Sequence, residues 1–438
     1  MLPTVADSSR PAAYRHRPIR LDKVSSRWYL WIKHESIWGA FVDVLRASAP
    51  ARERRDGAER ITSDVSGQGP LWFEVEAEFA GLLSDRADHV ALGLLMPAMK
   101  ARRDLHVGGT VTDVLLHQIN TDLQPLLVAI HGDCAPIHVT ADATAPADER
   151  RPGVGVGFSG GVDSLAAVRT YFLAEEVPDD LRVTHLLNYN VGSHGPDGQS
   201  LWQARCRPLS AAAEAWGLPL VRVDSNLDAH YPRLGFMESV SMRNAAAAHA
   251  LAGGLGRVHL GSAKSFAHAG TGLHGDIAAA DTMLLPLTTT AAMTVSSANS
   301  GMSRVEKTLG LVGRPEAVFL DVCTSFNWEG PRNCGQCDKC MRTMLTLEIA
   351  GHLSEFTARV FPEQPYREHR DDYIVRMLAA DDPFSDELRA FAIAHDWNWG
   401  STTRGRALGD RLRRNGERQL RRLARTRAGA SVRRLLRR

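Results

Sequence analysis

Between residues 153 and 322, short apolar runs alternate with longer stretches of helical periodicity. Val154–Phe158, Val183–Tyr189, Leu220–Asp224, Val258–Gly261 and Val318–Asp321 are rich in Val and Leu and predict strands. Leu201–Trp216, with an interruption expected at Pro208, and Met242–Leu255 predict helices between them. Strand and helix in alternation give a parallel sheet covered by helices on both faces. Ligands in such sheets bind at the carboxyl ends of the strands.

The flanks read differently. Residues 1–18 are rich in Pro, Arg and Ser and predict a loose terminus. Residues 19–142 predict a separate small α/β domain, with strands at 27–32, Leu71–Val75, Asp104–Val107 and Ile137–Val139. A helix is expected over Ala87–Met96, stopped by Pro97. Residues 143–152, polar and closed by Pro152, predict a linker to the 153–322 domain. Ala267–Ser300 is poorly periodic and predicts loops with short helices over a substrate. Residues 323–400 hold a cysteine cluster and C-terminal helices, and 401–438 form an Arg-rich tail.

Charge changes the picture only at that end. From residue 401 there are 14 Arg and no Lys against Asp410 and Glu417; the rest of the chain is acidic. Two readings fit Arg411–Arg438: a basic amphipathic helix for anionic lipid or nucleic acid, or a disordered arm docking on the acidic body or an acidic partner. No apolar run approaches the ~18 residues that suggest a membrane span. The first residues lack the basic-then-apolar pattern of a signal peptide, so a cytoplasmic location is the expectation.

The candidate chemistry centres on Gly157-Phe158-Ser159-Gly160-Gly161-Val162-Asp163-Ser164, placed between the first strand and a helix-like run. Strand, glycine-rich turn and helix make an anion cradle of inward N–H groups and a positive helix end. The same residues fit weaker patterns. Gly155-x-Gly157-x-x-Gly160 matches a dinucleotide fingerprint, but no acidic residue ends the next strand. Gly157-x-Ser159-x-Gly161 matches a nucleophile elbow, but no HGGG-type oxyanion segment precedes it.

The segment SGGVDS resembles, in all six residues, the pyrophosphate loop of the N-type ATP pyrophosphatases. That resemblance implies a Rossmann-like sheet of the adenine nucleotide α-hydrolase kind. It further implies that the loop grips the β- and γ-phosphates of ATP while a substrate oxygen attacks the α-phosphorus.

Four of the six cysteines cluster at Cys323, Cys334, Cys337 and Cys340. Three at CxxCxxC spacing plus one more suit a closed tetrahedral zinc site, with an iron–sulfur cluster or unmetallated thiols as alternatives. Gly335 permits the tight turn. Cys323-Thr324-Ser325-Phe326 with the following cysteines and Arg342 resembles the zinc signature of 7-cyano-7-deazaguanine synthase and its relatives. Met242-Arg243-Asn244 and Ser303-Arg304-Val305-Glu306-Lys307 are similar to two further segments of those enzymes. The resemblance covers about residues 153–350. The first 150 residues, a longer spacer after Cys323 and the stretch from Gly261 to Ser303 depart from it, so the substrate is not carried over.

Under this resemblance, Ser159, Gly160, Gly161, Val162, Asp163 and Ser164 bind ATP phosphates. Asp163 and Ser164 help hold Mg²⁺, helix capping being the alternative for Asp163. Lys307 neutralises charge on the α-phosphate or the departing pyrophosphate, with Lys264 a competitor. Arg243 binds phosphate or a substrate carboxylate, or else pairs with a nearby acid. Tyr189 and Asn190 follow a strand end, where adenine is held in this fold, with packing and turn roles as the alternative. His268 and His274 are loop residues that could meet substrate. The expected reaction is adenylation of a carboxylate or amide substrate, followed by capture with ammonia or an amine to form a C–N bond. A nucleic-acid-modifying enzyme, with the tail delivering tRNA, and a nucleotide-binding regulatory or defence component are the alternatives.

Overall fold

The computed structural model describes residues 43–195, 198–272, 275–325 and 332–424, for 418–424 the backbone only. The expected strand at 27–32, His274, Phe326 and the tail beyond 424 lie outside these residues.

From residue 153 onward the chain builds β7 (Gly153–Gly157), β8 (His185–Asn190), β9 (Leu220–Ser225), β10 (Leu255–Gly261) and β11 (Thr294–Ala298). They stand in the order β11-β10-β7-β8-β9 and every neighbouring pair is parallel. The chain winds outward from β7 to β9, then returns to place β10 on the other side of β7. The order therefore reverses between β7 and β10, which opens a crevice at their carboxyl ends.

Four of the five expected strands appear. The fifth does not: Val318–Asp321 follows Pro315, which opens a 3₁₀ turn over Pro315–Phe319, and the chain beyond it is irregular. The edge strand is β11 instead, from the segment expected to be loops. Its Ser and Thr residues hide the strand period in the sequence, but its residues pair in register with Arg257–Gly261.

The N-terminal half contributes β1 (Val44–Ala47), β2 (Ala51–Arg55), β3 (Ala58–Val65), β4 (Gly69–Glu76), β5 (Asp104–Thr112) and β6 (Val139–Ala145). The described part of the region 19–142, expected as a domain apart, continues the same sheet: β4 pairs antiparallel with β9 through Phe73↔Ser225 and Glu74↔Asp224. Among the described residues the result is a mixed, mostly parallel 11-stranded sheet. The expected linker begins inside β6.

Helices cover both faces, and adjacent residues of β8 show how. Leu186 enters one buried cluster and Leu187 the other, as the two-residue period of a strand requires. One cluster packs α1 (Asp88–Ala101) and α4 (Phe236–Ala250) on the sheet. The other gathers α2 (Val162–Val168), α3 (Gln199–Trp216), α6 (Asp338–Ile349) and α7 (Glu363–Ala379) near Val154 and Val156. Neither the stop expected at Pro97 nor the interruption expected at Pro208 occurs: α1 runs through Pro97 and α3 through Pro208. Helix α4 begins earlier than expected because Glu238 closes a capping box on the N–H of Gly235.

Further helices are α5 (Arg304–Leu309), α8 (Pro383–Ala394) and α9 (Ser401–Ala424). The stretch 411–424 is thus helical rather than an unstructured arm. Arg406 ties α9 to Asp372 on α7 at 2.7 Å. No helix among the described residues is long and apolar enough to cross a membrane.

One buried carboxyl sets a pH limit on this core. Asp281 accepts a hydrogen bond from Ser241 and is otherwise walled in, so burial raises its pKa from 3.8 to about 7. A raised acid stabilises the fold below its unfolded pKa and loses that contribution as pH rises through the folded value. Stability should therefore fall between about pH 4 and pH 7, by at most about 4 kcal/mol for a shift of this size. Asp281→Asn keeps the acceptor for Ser241. It is expected to flatten this part of the stability–pH profile in urea titrations; a profile as steep as that of the parent chain would contradict the assignment.

Candidate active site and metal centre

The turn after β7 is held from three sides. Phe158 N–H donates to Leu187 O at 2.7 Å, and Asn188 donates to Phe158 O at 2.9 Å. The carbonyl of Gly160 accepts from the N–H of Asp321 at 2.7 Å. Gly160 needs its missing side chain: φ is +73°, and a Cβ would stand 3.3 Å from the Phe319 carbonyl oxygen. Ser164 Oγ donates to Gly161 O at 2.9 Å, so its hydroxyl braces the turn. Helix α2 starts at Val162 with no side chain capping it. The N–H groups of its first turn lack intrahelical acceptors and suit an anion.

This turn lines a cavity of about 490 Å³, a size suited to a small-molecule ligand. Ser159, Gly161, Val162, Asp163, Ser164 and Tyr189 all face it. Gly160, Asn190, Arg243 and Lys307 are not among the lining residues.

Asp163 does not cap α2; Gly161 holds the cap position. Its Oδ2 instead takes Arg304 Nη2 at 2.6 Å, and its Oδ1 lies 3.5 Å from Lys307 Nζ. Lys307 is fully buried and donates to Ser262 O at 2.7 Å and Ser262 Oγ at 2.6 Å, just past the end of β10. Burial pulls the Lys307 pKa down and the Asp163 carboxylate opposes it. Lys264 belongs to a neighbouring cluster: it pairs with Asp276 at 3.4 Å and lies 3.7 Å over the ring of Phe384.

Arg243 takes the structural side of its alternative. Its guanidinium is fully buried, 2.6 Å from Asp228 Oδ1, and donates to Val191 O at 2.7 Å and Ser239 Oγ at 2.8 Å. Tyr231 covers it at 4.1 Å. Gly192 makes room: a Cβ there would fall 2.3 Å from Arg243 Nη1. The following residue, Asn244, is the one that faces the cavity.

Tyr189 Oη is buried with no hydrogen-bond partner among the described residues, and burial raises its pKa. Asn190 instead fixes the end of β8, donating to Asp224 Oδ1 and Gln199 Oε1 at 2.7 Å each. His268 sits 3.4 Å from Glu387 and is not among the lining residues.

Residues not singled out from the sequence for this site also line it, notably Arg304, Lys339, Asp321 and His194. Burial, with Arg205 nearby, lowers the His194 pKa to about 4. Arg304 and Lys339 lie inside the segments that drew attention as the lysine-bearing and cysteine motifs. Nothing local marks His194 or Asp321.

The four cysteines converge as their spacing predicts. The sulfurs of Cys323, Cys334, Cys337 and Cys340 all lie within 4.8 Å of one another. Cys334 and Cys340 are 3.9 Å apart, against about 3.8 Å for a tetrahedron with metal–sulfur bonds of about 2.3 Å. The group can hold one metal ion. Gly335 makes the turn at φ +69°, where a Cβ would stand 2.7 Å from Pro362 O. Asn333 stitches the knot to the chain before it, accepting from Val322 N–H at 2.9 Å and donating to Leu320 O at 2.9 Å.

No protein-family model, curated protein or solved structure matches this chain.

Two outcomes follow from this geometry. Fresh protein should carry about one equivalent of metal per chain by elemental analysis, and Cys340→Ser should lose it. Less than about half an equivalent would count against a tight site. Arg243→Met should destabilise the chain by about 3–5 kcal/mol in denaturant titrations, because Asp228 is left facing a site built for a cation. A loss under about 1 kcal/mol would show that the Arg243–Asp228 pair does not hold the 228–243 segment.

Proposed function

We propose that this chain is an ATP-dependent activating enzyme of the pyrophosphate-loop kind, adenylating a small carboxylate or amide substrate and passing it to ammonia or an amine. The observation that carries this reading is the placement of Ser159–Ser164 at the crevice between β7 and β10, lining one cavity with a cation-bracketed Asp163.

The β- and γ-phosphates would sit on the first-turn N–H groups of α2, with the hydroxyl of Ser159 beside them. Asp163 and Ser164 would hold Mg²⁺ against the phosphates; among the described residues the Oδ1 of Asp163 has no hydrogen-bond partner, Lys307 Nζ lying 3.5 Å away. Arg304, the cation on Asp163 that also faces the cavity, would stabilise charge on the departing pyrophosphate. Lys307 would act at one remove, fixing Asp163 and the end of β10. Tyr189, lining the apolar side with Leu187 and Leu260, would flank the adenine. Zinc is the metal that four thiolates in a closed tetrahedron suit. With no open position it would serve as a cross-link and not as a Lewis acid. The Arg-rich tail would meet a nucleic acid or an acidic partner.

ATP–pyrophosphate exchange across a panel of carboxylates is the test. The parent chain should exchange label with at least one substrate class. Ser159→Ala with Asp163→Ala should reduce exchange by about 100-fold or more, as loss of preorganised charge stabilisation does. Undiminished exchange and ATP affinity in that variant would defeat the proposal. Absence of exchange throughout, with ATP still bound, would make the chain a nucleotide sensor.

A further inference from the structure

Lys339 lies between two of the clustered cysteines, at the second position of α6, yet it faces the nucleotide cavity. Both features are unfavourable for a merely structural lysine. A cation in the first turn of a helix opposes the helix dipole. Arg304 and Arg342 add like charge around it, and among the described residues no carboxylate hydrogen-bonds to or ion-pairs with its ammonium. Asp163, the acid in its field, is already bracketed by Arg304 and Lys307. The side chain is exposed, but into the cavity. The same wall continues through Asp321, Cys323 and Thr324, and Asp321 holds the carbonyl of Gly160 in the turn.

We infer that Lys339 is a phosphate-binding residue and that the four-cysteine knot presents it to the pyrophosphate loop. The knot is then part of the anion site. Cys337 and Cys340 set the start of α6, and through it the lysine's reach, while the chain from 320 to 323 holds the turn from the other side. The ligand class is a di- or triphosphate whose charge exceeds what the loop and Arg304 neutralise. This rests on the nucleotide reading above.

Isothermal calorimetry with Mg²⁺ and inorganic pyrophosphate on the metal-loaded full chain tests it. Lys339→Gln should weaken pyrophosphate binding roughly tenfold or more, as expected for loss of a charge-assisted bond, with metal content unchanged. Lys339→Arg should restore binding to within about threefold of the parent chain. Parent-like affinity in Lys339→Gln, while Ser159→Ala with Asp163→Ala abolishes binding, would overturn this inference and leave the nucleotide reading standing. Loss of metal from Lys339→Gln with pyrophosphate affinity intact would show that the lysine serves the thiolates, and would also overturn it. If the parent chain binds neither pyrophosphate nor MgATP, both fall together.

Discussion

The carboxylate of Asp163, bracketed by Arg304 and Lys307, is the interaction on which the site depends. Three pieces of chain meet there: the turn after β7, the end of β10 through Ser262, and α5. The approach is close. A Cβ on Gly261 would stand 2.7 Å from the main chain of Asp163, so β10 can press against α2 only with glycine at that point. Because the sheet order reverses between β7 and β10, this contact closes the floor of the crevice where ligands of doubly wound sheets bind. A partly buried carboxylate held between two cations is fixed in place, which keeps the turn preorganised for an anion.

A further wall of the cavity, through Asp321, Cys323, Thr324 and Lys339, adjoins the cysteine knot. Asn333 and Asp321 couple it to the turn, one through the chain at 320–322 and the other through the carbonyl of Gly160. A metal on the four sulfurs would therefore stiffen the cavity as well as the C-terminal helices. This is why its position beside the loop matters more than its distance along the chain would suggest.

The parallel half was legible because β7 to β10 are apolar runs bounded by breakers, and because the glycine turn needs both its residues and its place. The cysteine cluster was legible from spacing alone. Other features were not. Strand β11 is short and rich in Ser and Thr, and it is a strand because β10 offers it an edge. Pro97 suggests a stop and Pro208 an interruption, yet both helices run through, packed on the sheet. The joining of β4 to β9 depends on pairs 152 and 150 residues apart in the chain, which no local pattern records. Arg243 illustrates the limit for site residues: the Arg-Asn pair was visible, but not that Asp228 and Gly192 would enclose the arginine and leave Asn244 facing the cavity.

The central claim is that nucleotide phosphates lie on the first turn of α2. A crystal structure of the full chain with Mg²⁺ and a non-hydrolysable α,β-methylene ATP tests it most directly. The account predicts the β- and γ-phosphates within hydrogen-bond reach of the N–H groups of Gly161 to Ser164, with Arg304 turned toward them. A nucleotide bound elsewhere, with this turn facing solvent, would contradict it.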